Sequence, residues 1–178
     1  LDMIEKLDLP QGVSVGFADG ALSVKGPKGE LARAFPFGKI SIKIEGSHII
    51  LSVTQGTKRE KCLLYSIIAH IKNMVAGVQN PFVYELKVCS GHFPMNVDFK
   101  NNVLSVKNFL GEKVPRTLKV KEGAKVVVAG DKITIECIDI ELAGKIASDI
   151  EHICRITNRD RRIFQDGIYI TKKCGEQI

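Results

Sequence analysis

The sequence lacks long apolar runs. Lys, His, Asp or Gly interrupts every apolar stretch within a few positions, and none approaches the roughly 18 residues that a bilayer-spanning helix needs. Residues 1–10 alternate acidic and apolar side chains and have neither the basic start nor the apolar centre of a secretory signal. The sequence therefore excludes a membrane-embedded protein and predicts a cytosolic one.

The sequence also lacks the patterns that bind metals, form disulfide frameworks or mark well-known active sites. Its five cysteines include no C-x-x-C pair, and none of its four histidines has a Cys, His or carboxylate at metal-ligand spacing. The phosphate-loop, nucleophile-elbow and zinc-protease signatures are all missing. We therefore expect no metal, no cofactor and no catalytic residues, and we interpret the cysteines as small buried apolar residues in a reducing compartment.

What is present is the composition of a globular protein with an excess of positive charge. Of the 178 residues, 44% are hydrophobic and 26% are charged, which predicts a packed core and not a disordered chain. Lys and Arg outnumber Asp and Glu by 26 to 20, giving a net charge of +6. This excess favours a polyanionic partner without identifying it.

An internal repeat is the most informative feature of the chain. Residues 22–30 read LSVKGPKGE and residues 104–112 read LSVKNFLGE, so six of nine positions agree at an offset of 82. A turn signal precedes each copy, Asp19-Gly20 in the first and Asn101-Asn102 in the second. Both copies are therefore predicted to form a hairpin, a strand and a loop.

A helical pattern follows in each copy and completes the prediction of the fold. The first helix is preceded by a capping box from Thr57 to Glu60, and the second is expected to start at Asp139. The sequence predicts an α+β fold of two tandem modules, each a mostly antiparallel sheet packed against one helix. We expect the first module to span residues 1–78 and the second residues 79–156, with a basic tail at 157–178.

The tail region carries half of the net charge. Residues 155–178 contain six basic and three acidic residues, and Arg155, Arg159, Arg161 and Arg162 lie close together. Phe164 and Tyr169 interleave with this run. Forked guanidinium groups beside flat rings suit phosphates and bases, so the pattern favours RNA contact. The alternative is a solvated basic tail whose two aromatics are anchored in the module core.

Outside the tail, His92 in Gly-His-Phe-Pro is a candidate for a fixed structural or RNA contact. His92 to Asn96 (HFPMN), Asn108 to Lys113 (NFLGEK) and Asn158 to Tyr169 (NRDRRIFQDGIY) resemble motifs of a ribosomal family. This is the universal large-subunit ribosomal protein family numbered six in bacteria and nine in eukaryotes, in its eukaryotic and archaeal form. The resemblance covers essentially the whole chain and includes the two-module organisation.

The resemblance implies a non-catalytic structural constituent of the large subunit of a cytosolic ribosome. Such a protein binds large-subunit ribosomal RNA near the stalk base and the sarcin-ricin loop, beside neighbouring ribosomal proteins and where translation factors dock. The resemblance implies that Asp166-Gly167 shapes the tail and does not itself bind RNA. The residues carried over as RNA contacts are Arg159, Arg161, Arg162, Lys172 and Lys173 for phosphates, with Asn108, Lys113 and Arg116 adding contacts and Asn158 in the motif.

Two other functions remain open from the sequence. A ribosome-assembly factor or RNA chaperone would use the same basic tail but leave mature particles. An enzyme without a recognisable signature would need His92 or a cysteine as its reactive group, and nothing in the residue spacing supports it beyond the presence of those side chains.

Overall fold

The computed structural model describes residues 2–18 and 20–178, which form two compact units, Leu1–Pro81 and Phe82–Ile178. The boundary lies three residues beyond the one expected from the sequence, because the first helix continues to Gln79. Asn80 then adopts an extended conformation, the one favoured before a proline. Asp19, expected to form a turn with Gly20, lies outside the described residues.

The described residues of the first unit form six strands in two antiparallel sheets and one helix. The strand orders are β1-β6-β5 and β2-β3-β4. The elements are β1 (Met3–Asp8), β2 (Ser14–Ala18), β3 (Ala21–Gly26), β4 (Gly29–Ala34), β5 (Ile40–Glu45), β6 (His48–Val53) and α1 (Lys58–Gln79).

The helix α1 begins where the sequence predicts. The Thr57 side chain accepts a hydrogen bond from the Arg59 amide, and the Glu60 carboxylate accepts one from the Thr57 amide, so the capping box is confirmed. One face of α1 carries its buried apolar side chains, including Leu64, Ile68 and Ile71. This face packs on β3, β4 and β6 and closes the core of the unit.

The second unit repeats this order and adds two strands. Its sheets have the strand orders β10-β9-β8 and β11-β12-β7-β13-β14. The helix α2 starts one residue after Asp139. The Asp139 carboxylate caps the helix by accepting a hydrogen bond from the Glu141 backbone amide. The elements are β7 (Phe82–Cys89), β8 (Asn96–Lys100), β9 (Val103–Lys107), a 3-10 turn (Phe109–Gly111), β10 (Arg116–Lys119), β11 (Lys125–Ala129), β12 (Lys132–Cys137), α2 (Ile140–Ile153), β13 (Gly167–Lys173) and β14 (Glu176–Gln177).

The predicted fold class, α+β with two tandem modules, is confirmed, although each module contains two antiparallel sheets where one was expected. Asn101 and Asn102 both have positive φ, which gives the predicted two-residue hairpin turn between β8 and β9. Within residues 2–18 and 20–178, neither helix combines the length and apolar character needed to cross a membrane.

Residues 157–178 are not a separate tail. Gly167–Lys173 forms β13, which pairs with β7 inside the five-stranded sheet, and Ile168 is buried in the core of the second unit. The sequence suggested a tail because the charge there is high. The apolar residues of Gly-Ile-Tyr-Ile nevertheless alternate with the period of a strand whose one face is covered.

The cysteines are only partly the buried residues expected from the sequence. Cys137 and Cys154 are buried, Cys89 is half-buried, and Cys62 and Cys174 are exposed. Burial raises the pKa of Cys154 to about 11 and raises that of Cys137, so both thiols stay protonated at neutral pH.

Candidate nucleic-acid interface

Three loops of the second unit converge at one end of its sheets. They are residues 90–95 after β7, residues 108–115 before β10 and residues 155–166 between α2 and β13. Side-chain contacts described below join the first loop to each of the others. We call the surface formed by these three segments the loop surface. It contains nine of the thirteen residues predicted to contact RNA. The other four lie outside these segments: Arg116 and Tyr169 at the margin, and Lys172 and Lys173 further along β13.

Asp166 holds two of these loops together. Its side chain is 1% exposed and accepts three hydrogen bonds, from the Gly91 amide at 2.6 Å, the His92 amide at 2.9 Å and His92 Nδ1 at 2.6 Å. Burial alone would raise the pKa of this carboxyl, but the hydrogen bonds from His92 and Gly91 outweigh it and the pKa is lowered. A carboxylate only accepts, so His92 Nδ1 carries the proton and Nε2 is left as an acceptor in the neutral ring.

His92 and Phe164 stack, and an arginine lies over the same phenyl ring. The His92 and Phe164 ring centroids are 4.7 Å apart with 26° between their planes, and Arg159 Cζ lies 4.9 Å from the Phe164 centroid. The His92 side chain is 39% exposed and Phe164 is half-buried. Phe164 therefore packs against both His92 and Arg159, and these two residues are more exposed than Phe164.

Tyr169 lies between two clefts. One cleft, of about 310 Å³, is lined by Tyr169 together with Arg155 and Arg161. The other, of about 580 Å³, is lined by Tyr169 together with His92 and Gln165. Tyr169 is 37% exposed, and its hydroxyl donates a long hydrogen bond of 3.4 Å to the Asp166 carbonyl. Partial burial raises the pKa of this phenol, so it is a hydrogen-bond donor at neutral pH.

The loop before β10 is shaped by residues with positive φ. Asn108 and Leu110 have φ of 60° and 48°, and the Asn108 side-chain amide Nδ2 donates to the Pro94 carbonyl at 2.9 Å. A side chain at Gly111, where φ is 78°, would meet the Phe93 ring at 3.4 Å. Asn108 thus acts inside the protein by fixing this loop against residues 90–95, while Lys113 is exposed.

Arg116, a predicted RNA contact, is half-buried and makes hydrogen bonds within the protein. Its guanidinium forms a forked pair with Glu112 at 2.8 and 2.6 Å and donates to the Ile153 carbonyl at 2.6 Å. It also lies 4.3 Å from the Phe109 ring centroid. Arg116 thereby supplies a hydrogen-bond donor to a carbonyl in the last turn of α2 and connects this turn to Glu112 in the loop before β10.

Arg162 is the one arginine of the predicted cluster with an ion pair among the described residues. Its Nη2 lies 2.8 Å from Asp160 Oδ2, although the side chain is 90% exposed. The pKa of Asp160 is lowered by hydrogen bonds from the Arg162 side chain and amide. Arg155, Asn158, Arg159 and Arg161 are exposed in the same loop, and Asn158 has a positive φ of 59°.

Lys172 and Lys173 lie away from the loop surface. Gly167 pairs with Cys89 next to the loop, whereas Lys172 pairs with Glu85, five residues further along β13 or about 17 Å at the rise of a strand. Lys172 Nζ also lies 3.4 Å from the Glu85 carboxylate. The structure therefore does not bring these lysines together with the arginines.

Ser90, Ile163 and Gln165 line the larger cleft and were missed by sequence reasoning. None belongs to a residue type or spacing that signals a site. Ser90 meets the others only because Asp166 bonds to Gly91 across 75 residues. The described part of the chain contains no group of three or more His, Cys, Asp or Glu side chains placed to hold a metal ion.

Comparison with known proteins finds matches to one protein family in both units of the chain. The family model described as ribosomal protein L6 matches residues 9–80 and residues 93–167, one segment in each unit. The large ribosomal subunit protein uL6 of Saccharolobus solfataricus is 40% identical over 170 residues, which cover 95% of this chain and 94% of that protein.

Two further archaeal proteins of the same name are similar over nearly their whole length. That of Sulfurisphaera tokodaii is 42% identical over 172 residues, covering 96% of this chain and 92% of its own. That of Nanoarchaeum equitans is 43% identical over 181 positions, covering 97% and 94%. The chain therefore belongs to the ribosomal protein L6 family, in its archaeal form, a family of structural ribosomal components and not of enzymes.

Proposed function

We propose that this protein is a constituent of the large ribosomal subunit and binds large-subunit ribosomal RNA through the loop surface. The observation that carries this proposal is the group of exposed cations on that surface. Lys113, Arg155, Arg159 and Arg161 have no ion-pair partner within residues 2–18 and 20–178, whereas the acidic side chains of these three loops, Glu112, Asp160 and Asp166, are paired or buried.

The charges of the loop surface are arranged for a polyanion. Asp160 is paired with Arg162, Glu112 is paired with Arg116, and Asp166 is buried. The pairing and burial of these three carboxylates reduce their electrostatic repulsion of an approaching phosphate. Arginine binds phosphate with a forked pair of donors, and counterion release from the nucleic acid supplies much of the affinity. The shape of the three fixed loops would supply the specificity.

Family membership supports a position for the protein within the particle. We place it in cytosolic ribosomes, near the stalk base and the sarcin-ricin loop, beside neighbouring large-subunit proteins and close to the site where translation factors dock. In this role the protein holds RNA in a folded arrangement, and it carries out no chemical step.

The amount of the protein in translating ribosomes tests this proposal. Quantitative mass spectrometry of large subunits taken from polysomes is expected to find about one copy per subunit, retained through a wash in moderate salt. An assembly factor or RNA chaperone would instead be found in precursor particles and be absent from polysomes. Recovery only from precursors or from the free pool would contradict the proposal.

A further inference from the structure

The larger of the two clefts has walls suited to a flat ring. His92 forms one wall. Its Nδ1 is hydrogen-bonded to Asp166, and its ring is stacked on Phe164. Tyr169 forms another wall, and its ring is folded over Gly167, where a Cβ would lie 3.1 Å from the Tyr169 hydroxyl. Both rings are thus fixed before any ligand enters, which reduces the entropy lost on binding.

The polar groups of this cleft offer both donors and acceptors. Because His92 Nδ1–H donates to the Asp166 carboxylate, the neutral form of His92 presents Nε2 as an acceptor. Gln165 donates its amide to the Arg162 carbonyl at 3.3 Å, which leaves its side-chain oxygen as an acceptor, and Ser90 adds a hydroxyl. A nucleobase edge and a ribose hydroxyl present the complementary groups.

The cleft also has an apolar margin that a bound ring would cover. Ile163 lines it and is 64% exposed. The volume of about 580 Å³ lies within the range of small-molecule sites and is ample for one nucleoside. A base paired within a helix is stacked on both faces and cannot enter, so only an unpaired nucleotide fits these walls.

Cations lie on the other side of Tyr169. Arg155 and Arg161 are exposed and line the smaller cleft, which shares Tyr169 with the larger one. We infer that one unpaired RNA nucleotide binds here, with its base in the cleft between His92 and Tyr169 and an adjoining phosphate on Arg155 and Arg161. This inference rests on the RNA binding proposed above and specifies the kind of nucleotide that the loop surface recognises.

The test measures the affinity of the full-length protein for large-subunit ribosomal RNA across a range of salt concentrations. Tyr169→Ala removes a stacking surface, so we expect an affinity about fivefold to a hundredfold lower with an unchanged salt dependence. Tyr169→Phe keeps the ring and is expected to stay within about twofold of the wild type. Tyr65→Ala is the matched control, because Tyr65 is an exposed tyrosine of the first unit, 46% exposed on α1.

The outcomes separate the nucleotide site from the proposed function. If Tyr169→Ala loses no more affinity than Tyr65→Ala, the nucleotide site is wrong while RNA binding stands. If the wild-type protein does not bind the RNA, the proposed function itself is wrong. Should Tyr169→Ala fail to fold in thermal unfolding, ultraviolet crosslinking of the wild-type complex decides: crosslinks in residues 90–92 or 163–169 support the site, and crosslinks exclusively elsewhere overturn it.

Discussion

Asp166 is the residue on which the shape of the loop surface depends most. Its buried carboxylate fixes the backbone of residues 91 and 92 and the orientation of the His92 ring. The resemblance to the ribosomal family implies a shaping role for Asp166-Gly167. The local sequence does not reveal the partners of Asp166, because the three donors lie 74 and 75 residues away along the chain.

Asp166→Asn is expected to lower the free energy of unfolding by about 1–3 kcal/mol, because an amide cannot accept all three hydrogen bonds. The lowered pKa means that the stabilisation by this carboxylate is present above its unfolded value, near 3.8, and is lost as the pH falls through the lower folded value. Urea unfolding between about pH 6 and pH 2 is therefore expected to show a shallower acid dependence in the variant.

Asp149→Asn is the control for this prediction, since Asp149 is exposed on α2. It is expected to change the free energy of unfolding by no more than about 0.5 kcal/mol. Equal acid dependence in Asp166→Asn and the wild type would show that Asp166 does not carry the predicted stabilisation.

Arg116 and Arg161 are expected to separate stability from RNA binding. Arg116→Ala removes hydrogen bonds to Glu112 and Ile153, so we expect unfolding to be easier by about 1–3 kcal/mol. Arg161→Ala removes an exposed cation, so we expect a stability change within about 0.5 kcal/mol and a salt slope of RNA binding reduced by about 1. Thermal unfolding and RNA titrations in varied salt measure the two effects.

RNA titrations of Arg116→Ala also test whether Arg116 contacts phosphate. If a folded Arg116→Ala protein loses as much salt dependence as Arg161→Ala, then Arg116 contacts phosphate in spite of its partners in the free protein. The sequence treats both residues alike, because both are arginines in or near family motifs. Only the positions of Glu112 and Ile153 distinguish them.

At the scale of elements, β13 differs most from what the sequence predicts. Charge dominates the composition of residues 155–178 and suggests a tail, but the chain returns to the sheet at Gly167. The strand places apolar Ile168 in the core and positions Tyr169 beside the loop surface. The elements with strong local signals, α1 with its capping box and the hairpin at Asn101-Asn102, are predicted correctly.

The role of β13 can be tested with two isoleucines of the same segment. Ile168 is 1% exposed and Ile163 is 64% exposed. Ile168→Ala leaves a cavity under the sheet and is expected to lower the free energy of unfolding by about 2–5 kcal/mol, measured by urea denaturation. Ile163→Ala is expected to change it by about 0.5 kcal/mol or less. Similar small effects for both would mean that β13 is not an integral strand.

At the scale of the whole molecule, the repeat explains why the architecture is predictable. Leu22 and Val24 of the first unit correspond to Leu104 and Val106 of the second, and all four are fully buried at equivalent positions of β3 and β9. Because the same local sequence pattern occurs in both units, it predicts the same strand arrangement in each of them. The loop surface is less predictable, because it depends on contacts between loops that are distant in sequence and differ between the repeats.

The positive charge of the chain includes a group of exposed cations on the loop surface. The loop surface of the second unit carries four exposed cations without an ion pair among the described residues, Lys113, Arg155, Arg159 and Arg161. Three of them follow residues 79–154, which contain ten basic and ten acidic residues and carry no net charge. Pairing of Glu112 and Asp160 with arginines of the same loops and burial of Asp166 leave the remaining basic side chains of the surface available.

The salt dependence of binding to large-subunit ribosomal RNA tests the central claim most directly. The combined variant Arg155→Ala, Arg159→Ala and Arg161→Ala is expected to reduce the slope of log affinity against log salt by about 2–3, since each lost phosphate contact removes about 0.7–0.9. The control removes three exposed cations of the first unit, Lys6, Lys43 and Arg59, and is expected to leave the slope unchanged. An unchanged slope in the loop-surface variant, or an equal reduction in the control, would contradict the assignment of RNA binding to the loop surface.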